Sequence, residues 1–77
     1  MNKNEQNNYK QRFFNEYVEL KDKYTKLHKM LVKYDAGKLD FTPTCPIYLL
    51  RRQEALMSQY LNVLEIRAII EDVELPE

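Results

Sequence analysis

The stretch LLRRQEALMSQYLNVLEIRAII, Leu49 to Ile70, decides the fold. At the roughly 100° per residue of an α-helix, Leu49, Leu56, Val63 and Ile70 stack one above another, seven residues apart. Leu50, Met57, Leu61, Leu64 and Ala68 make a second apolar row beside the first. Together the rows cover an arc of roughly 180°, wider than the stripe a helix needs against a single neighbour. Gln53, Tyr60 and Arg67, again seven apart, run down the middle of that arc. A broad apolar face with a polar line through it predicts a helix that packs against more than one partner and encloses something polar.

Upstream, Phe13, Tyr17, Leu20, Tyr24, Leu27, Leu31 and Tyr34 follow alternating spacings of four and three. That is the a/d pattern of a long helix lying on a helical partner. Phe14, Val18 and Met30 widen the stripe. Simple coiled coils prefer aliphatic residues at such positions, so a seam rich in tyrosine is either bulky or borders a cavity. The polar run MNKNEQNN, residues 1–8, has no apolar anchor and predicts a flexible lead-in to a single hairpin domain over residues 9–77. The first helix is expected over about residues 9–35, where Gly37, the only glycine, supplies a left-handed stop. A loop over residues 36–45 follows. The second helix is expected over about residues 46–73, with Thr44 or Cys45 as N-cap, Pro46 in the first turn and Leu75-Pro76 closing it.

Two helices of roughly 26 residues, or about 40 Å each, joined by a short loop form an antiparallel hairpin. The fold class is therefore all-α. A hairpin shields only one side of each helix, so the wide face of the second predicts a homo-oligomeric helical bundle. A dimer would give four helices. The same conclusion comes from size. A chain of 77 residues builds a marginal core. Cys45 is the only cysteine, so no internal disulfide supports it, and His28 is the only histidine, so a Cys/His metal site is disfavoured.

Charge narrows the partners. Twelve basic and twelve acidic residues cancel, which speaks against a dedicated duplex-DNA binder. The basic run Lys21 to Lys38 reads either as the wet face of an amphipathic helix or as an RNA contact. No apolar run is long enough to span a bilayer and none near Met1 resembles a signal peptide, so a cytoplasmic protein is expected. No catalytic set emerges. Cys45 lies about two helical turns from His28 in the hairpin register, and the chain has no GxGxxG, P-loop, HExxH or GxSxG. No enzyme activity, cofactor or metal is expected.

The candidate ligand-binding residues are Arg67, Tyr60 and Gln53, with Tyr17, Tyr24, Arg12 and Phe13 facing them across the hairpin. An arginine inside an apolar arc needs a partner. One reading is a structural network, with Arg67 on Glu16 or Glu71 and Gln53 setting oligomer register. The other is a pocket between protomers for a nucleotide-type molecule. There arginine holds phosphate, the aromatics stack on a base and Gln53 reads a polar edge.

Glu16 to Leu31, EYVELKDKYTKLHKML, and Leu49 to Arg67, LLRRQEALMSQYLNVLEIR, resemble a family of small phage proteins related to a gene product of crAss-like phages. Its Q-x-x-A-M-x-x-Y-L-x-x-L core followed by R-I is met here by Gln53, Met57, Tyr60, Leu61, Leu64 and Arg67. Leu56 stands for the alanine and Ala68 for the aliphatic residue after arginine. The resemblance covers roughly residues 13–68 and implies a phage accessory protein. By analogy with other small helical oligomers of phages, it implies a sponge for nucleotide immune signals, either cyclic oligonucleotides of CBASS or ADP-ribose-type products of Thoeris.

Overall fold

In the computed structural model, backbone is described for residues 3–76 and side chains for residues 8–76. The described residues form two helices, α1 (Lys3–Asp35) and α2 (Ile47–Glu71), which pack on each other as a hairpin. The helix α1 starts at Lys3, ahead of the expected start near Tyr9, so the stretch 3–8 read as a lead-in is helical. Extending an established helix adds one hydrogen bond per residue without a new nucleus, so polar residues ahead of the seam join it. The expectation for Met1 and Asn2 lies outside the described residues.

Both helix ends stop by the same device. Gly37, at φ 73°, takes the left-handed position after α1, where its N–H donates to the Tyr34 carbonyl at 3.0 Å and that of Lys38 to Lys33 at 2.9 Å. This pair of bonds is the Schellman arrangement. At the end of α2 Asp72 adopts φ 58° and ψ 46°, and the Val73 N–H donates to the Ala68 carbonyl at 2.9 Å. Val73 then turns back into the core beside Ala68. The stop thus comes at Asp72, ahead of Leu75-Pro76.

The start of α2 differs from expectation too. Pro46 itself is the N-cap, at φ −58° and ψ 142°, and its carbonyl accepts from the Leu49 and Leu50 N–H groups. Neither Thr44 nor Cys45 caps the helix. A proline disfavours helical backbone in the residue before it, so the chain bends at Thr44 and Cys45 and enters the helix only after the ring.

Cross-hairpin pairs set the register. Tyr17 meets Glu65, His28 meets Glu54 and Asp35 meets Arg51, as an antiparallel ladder of helix turns requires. The core gathers at the open end, where Phe13, Tyr17, Leu61, Leu64, Ala68 and Val73 are buried and Tyr9, Leu20, Tyr24 and Leu75 lean on them. Leu31 is buried separately, nearer the turn. The molecule measures 53 × 21 × 18 Å with a radius of gyration of 16.0 Å. A compact chain of this length would come to about 11–12 Å. The hairpin is a rod, and a rod leaves much of its apolar surface uncovered.

Candidate functional site

The helix α2 offers two apolar rows, and α1 covers one. Leu61, Leu64 and Ala68 are buried in the hairpin seam, with Leu50 and Met57 half-buried along it. The other row stays open: Leu49, Leu56, Val63 and Ile70 are 39%, 56%, 51% and 73% exposed. Ile66 and Ile69 extend this open face toward the end of the helix. The polar line Gln53, Tyr60 and Arg67 runs between the covered row and the open one, and all three residues are exposed. Within one chain, therefore, the line is not enclosed. It borders the seam, because α1 is too narrow to reach past the first row.

Arg67 sits at the open end and is well served by its own chain. Its Nε donates to Glu71 at 2.8 Å, one Nη reaches the second Glu71 oxygen at 3.3 Å and the Tyr9 hydroxyl at 3.4 Å, and the guanidinium lies 4.8 Å from the Phe13 ring centre. Tyr9 meets Phe13 edge-on at 6.3 Å. Arg67 and Phe13 are thus brought together as the register predicts, with Glu71 as the carboxylate partner and Glu16 uninvolved among the described contacts. Arg12 is exposed, one residue from Phe13.

The seam tyrosines lie elsewhere. Tyr17 is buried, and its hydroxyl donates to Glu65 at 2.8 Å while Lys21 approaches the same oxygen at 3.5 Å. Burial, reinforced by the Glu65 hydrogen bond, raises the Tyr17 phenol above its usual pKa. Tyr24 stacks on His28, centroids 5.7 Å apart, and His28 Nδ1 contacts Glu54 at 2.5 Å. Tyr24 and Lys21 line an open groove of about 620 Å³ with Ser58, Gln59, Asn62 and Glu65. Tyr60 lines a different groove, so the base sandwich between Tyr60 and a seam tyrosine is absent from the single hairpin. Packing accounts for the separation, since Tyr17 and Tyr24 are drawn into the α1 side of the seam.

Tyr60 and Gln53 do share a groove. Together with Cys45, Leu49, Arg52, Leu56 and Met57 they line a depression of about 490 Å³ on the outer face of α2. Its walls are mainly aliphatic, with one guanidinium, one amide and one phenol among them. Such a mixture of apolar wall and few polar groups is what small-molecule sites show. Arg52 was missed by sequence reasoning. Its signal is positional: it lies one residue ahead of Gln53 and flanks the row Leu49–Leu56. Glu54 and Glu65, which hold His28 and Tyr17, have a weaker signal, because acidic residues within a long helix usually face water.

Among the described residues no group of His, Cys, Asp and Glu side chains could hold a metal ion, and no helix is long and apolar enough to cross a membrane. The hairpin presents a polar-edged apolar face on α2. The Sequestin family model matches residues 7–70, most of the chain, and the chain belongs to the Sequestin family. The family's name denotes sequestration of a ligand. No curated protein and no solved structure matches the chain.

Proposed function

We propose that this chain is a phage-encoded, non-enzymatic anti-defence protein that acts in the cytoplasm of the infected bacterium. It binds and sequesters a nucleotide-derived immune signal, a Thoeris ADP-ribose-type product or a CBASS cyclic oligonucleotide, between protomers. The observation that carries this reading is the groove holding Arg52, Gln53 and Tyr60 beside an open apolar row, in a member of a family named for sequestration. A phosphate takes the guanidinium, a base lies on the Tyr60 ring and Gln53 selects a polar edge. Phage origin is in keeping with the resemblance to the crAss-like phage gene product. Removing free signal by tight binding requires no chemistry on it, so a sponge needs no catalytic set.

Calorimetry of the purified protein against cyclic dinucleotides, cyclic trinucleotides and ADP-ribose derivatives tests the proposal. One of these classes is expected to bind, and Tyr60→Ala is expected to abolish the binding while self-association persists. Failure of every class, or full binding by Tyr60→Ala, would sink it. Native mass spectrometry of protein taken from signalling cells offers a second check, as a co-purifying mass of nucleotide size.

One observation favours a second reading. Arg67 is already engaged by Glu71, Tyr9 and Phe13. An arginine satisfied within its own chain belongs to a structural or protein-interaction module with no small-molecule ligand. In that case Arg67→Ala weakens the hairpin, and no member of the panel releases heat.

A further inference from the structure

We propose that the groove of about 620 Å³ between α1 and α2 is a second small-molecule site, built for an uncharged ribonucleoside. It goes beyond the sequestration reading, whose ligand lies in the outer groove with Gln53 and Tyr60, and it stands or falls separately.

The groove exists because a ladder of cross-hairpin pairs skips a step. Down one side of α2 run Glu54, Ser58, Asn62 and Glu65, at helical spacing, while Gln53, Tyr60 and Arg67 run down the other. Glu54 meets His28 of α1, and Glu65 meets Tyr17. The two pairs lie three turns apart, about 16 Å along the seam. Between them stand Ser58 and Asn62, whose side chains are too short to cross to α1, and among the described residues neither pairs with it. Unpaired hydroxyl and amide groups therefore line a space where longer side chains would have closed the seam.

The facing wall is held in place. Lys21 approaches the Tyr17 hydroxyl at 3.5 Å and lies 5.8 Å from its ring centre, and Tyr24 stacks on His28 while leaning on the core. Glu65 is fixed by accepting from Tyr17 at 2.8 Å, and a carboxylate keeps further lone pairs for a ligand. Walls positioned before the ligand arrives reduce the ordering cost of binding.

Charge and hydrogen bonding select the ligand. The lining carries one cation, Lys21, and one anion, Glu65, which cancel. The outer groove, by contrast, has Arg52 and no acid in its wall, and suits an anion. What the inner groove offers is a hydroxyl, two carboxamides and a carboxylate that only accepts. An acidic side chain takes ribose hydroxyls in this way in dinucleotide-binding folds, and carboxamides match the mixed donor and acceptor edge of a base. In the register set by the two pairs, Tyr24 stands opposite Ser58. From Ser58 to Glu65 is about 10 Å along the helix, the span of a ribose joined to a base. The sugar hydroxyls thus go to Glu65, with Lys21 beside them, and the base lies by Tyr24 with Gln59 and Asn62 at its edge.

NMR titration of the isotope-labelled full chain with adenosine, guanosine, cytidine and uridine tests the site. At least one of these is expected to shift the side-chain amide signals of Gln59 and Asn62. Its 2′-deoxy counterpart, and the Asn62→Ala variant, should each bind about tenfold more weakly, the effect of one lost hydrogen bond. Asn62 is exposed, so Asn62→Ala should not lower the melting temperature. Tyr60→Ala should leave nucleoside binding unchanged. No shift with any nucleoside, or shifts confined to the surroundings of Gln53 and Tyr60, would overturn the inference. Equal binding of the deoxy compound would overturn the role given to Glu65, and equal binding of free ribose would make this a sugar site with no base. Calorimetry with the charged nucleotide panel reads the outer groove independently. Its failure alone removes the sequestration reading and leaves this site standing.

Discussion

Val63 and Leu64 are adjacent in sequence and opposite in environment. Leu64 is 1% exposed within the α1–α2 seam, whereas Val63 is 51% exposed on the open row. Leu64→Ala removes a filled position from a small core and should cost about 2–5 kcal/mol of folding free energy. Val63→Ala removes two methyl groups that the hairpin only half covers. At about 0.8 kcal/mol per fully buried methylene equivalent, the hairpin itself loses no more than about 0.8 kcal/mol. A second protomer packed by the same row would bury the remaining half in each of two copies, so association would lose about 1.6 kcal/mol in total, slightly more than tenfold in dissociation constant. Urea unfolding at two protein concentrations separates the two effects, and sedimentation equilibrium measures the second. Leu64→Ala should lower the unfolding midpoint at both concentrations. Val63→Ala should lower it chiefly at the concentration where wild type is dimeric. An unchanged dissociation constant for Val63→Ala, or a Leu64→Ala cost no larger than that of Val63→Ala, would refute the assignment of the two rows.

Other substitutions probe the ends and the turn. Arg67→Ala loses an exposed carboxylate pair and a guanidinium–Phe13 contact, together about 1 kcal/mol, and should lower the melting temperature by several degrees. Asp72→Gly relieves a left-handed backbone at φ 58° and removes an anion from the C-terminus of α2, so it should stabilise the hairpin by about 1 kcal/mol in chemical denaturation. Asp35, hydrogen-bonded to Arg51, is held below the usual carboxylate pKa. Its contribution is present above the unfolded value of about 3.9 and is lost as pH falls through the folded one, so Asp35→Asn should flatten the acid limb of a stability–pH curve.

Periodicity makes the hairpin legible in the sequence, because both helices place apolar residues at heptad spacing and Gly37 marks the stop. The register is legible too, and Arg67 does meet Phe13. Less legible is which apolar row of α2 faces α1, since both rows have helical spacing. Packing volume supplies the answer. The bulky Phe13 and Tyr17 of α1 need small or slender residues opposite, and the row containing Leu61, Leu64 and Ala68 provides them. Choosing that row turns Gln53, Tyr60 and Arg67 from the centre of a buried face into its border. Hydrogen bonding separates the three: Arg67 lies within reach of Glu71 one turn along its own helix, while Gln53 and Tyr60 share their groove with the guanidinium of Arg52. The unresolved half of the arc is a question about a second surface, which periodicity within one chain cannot name.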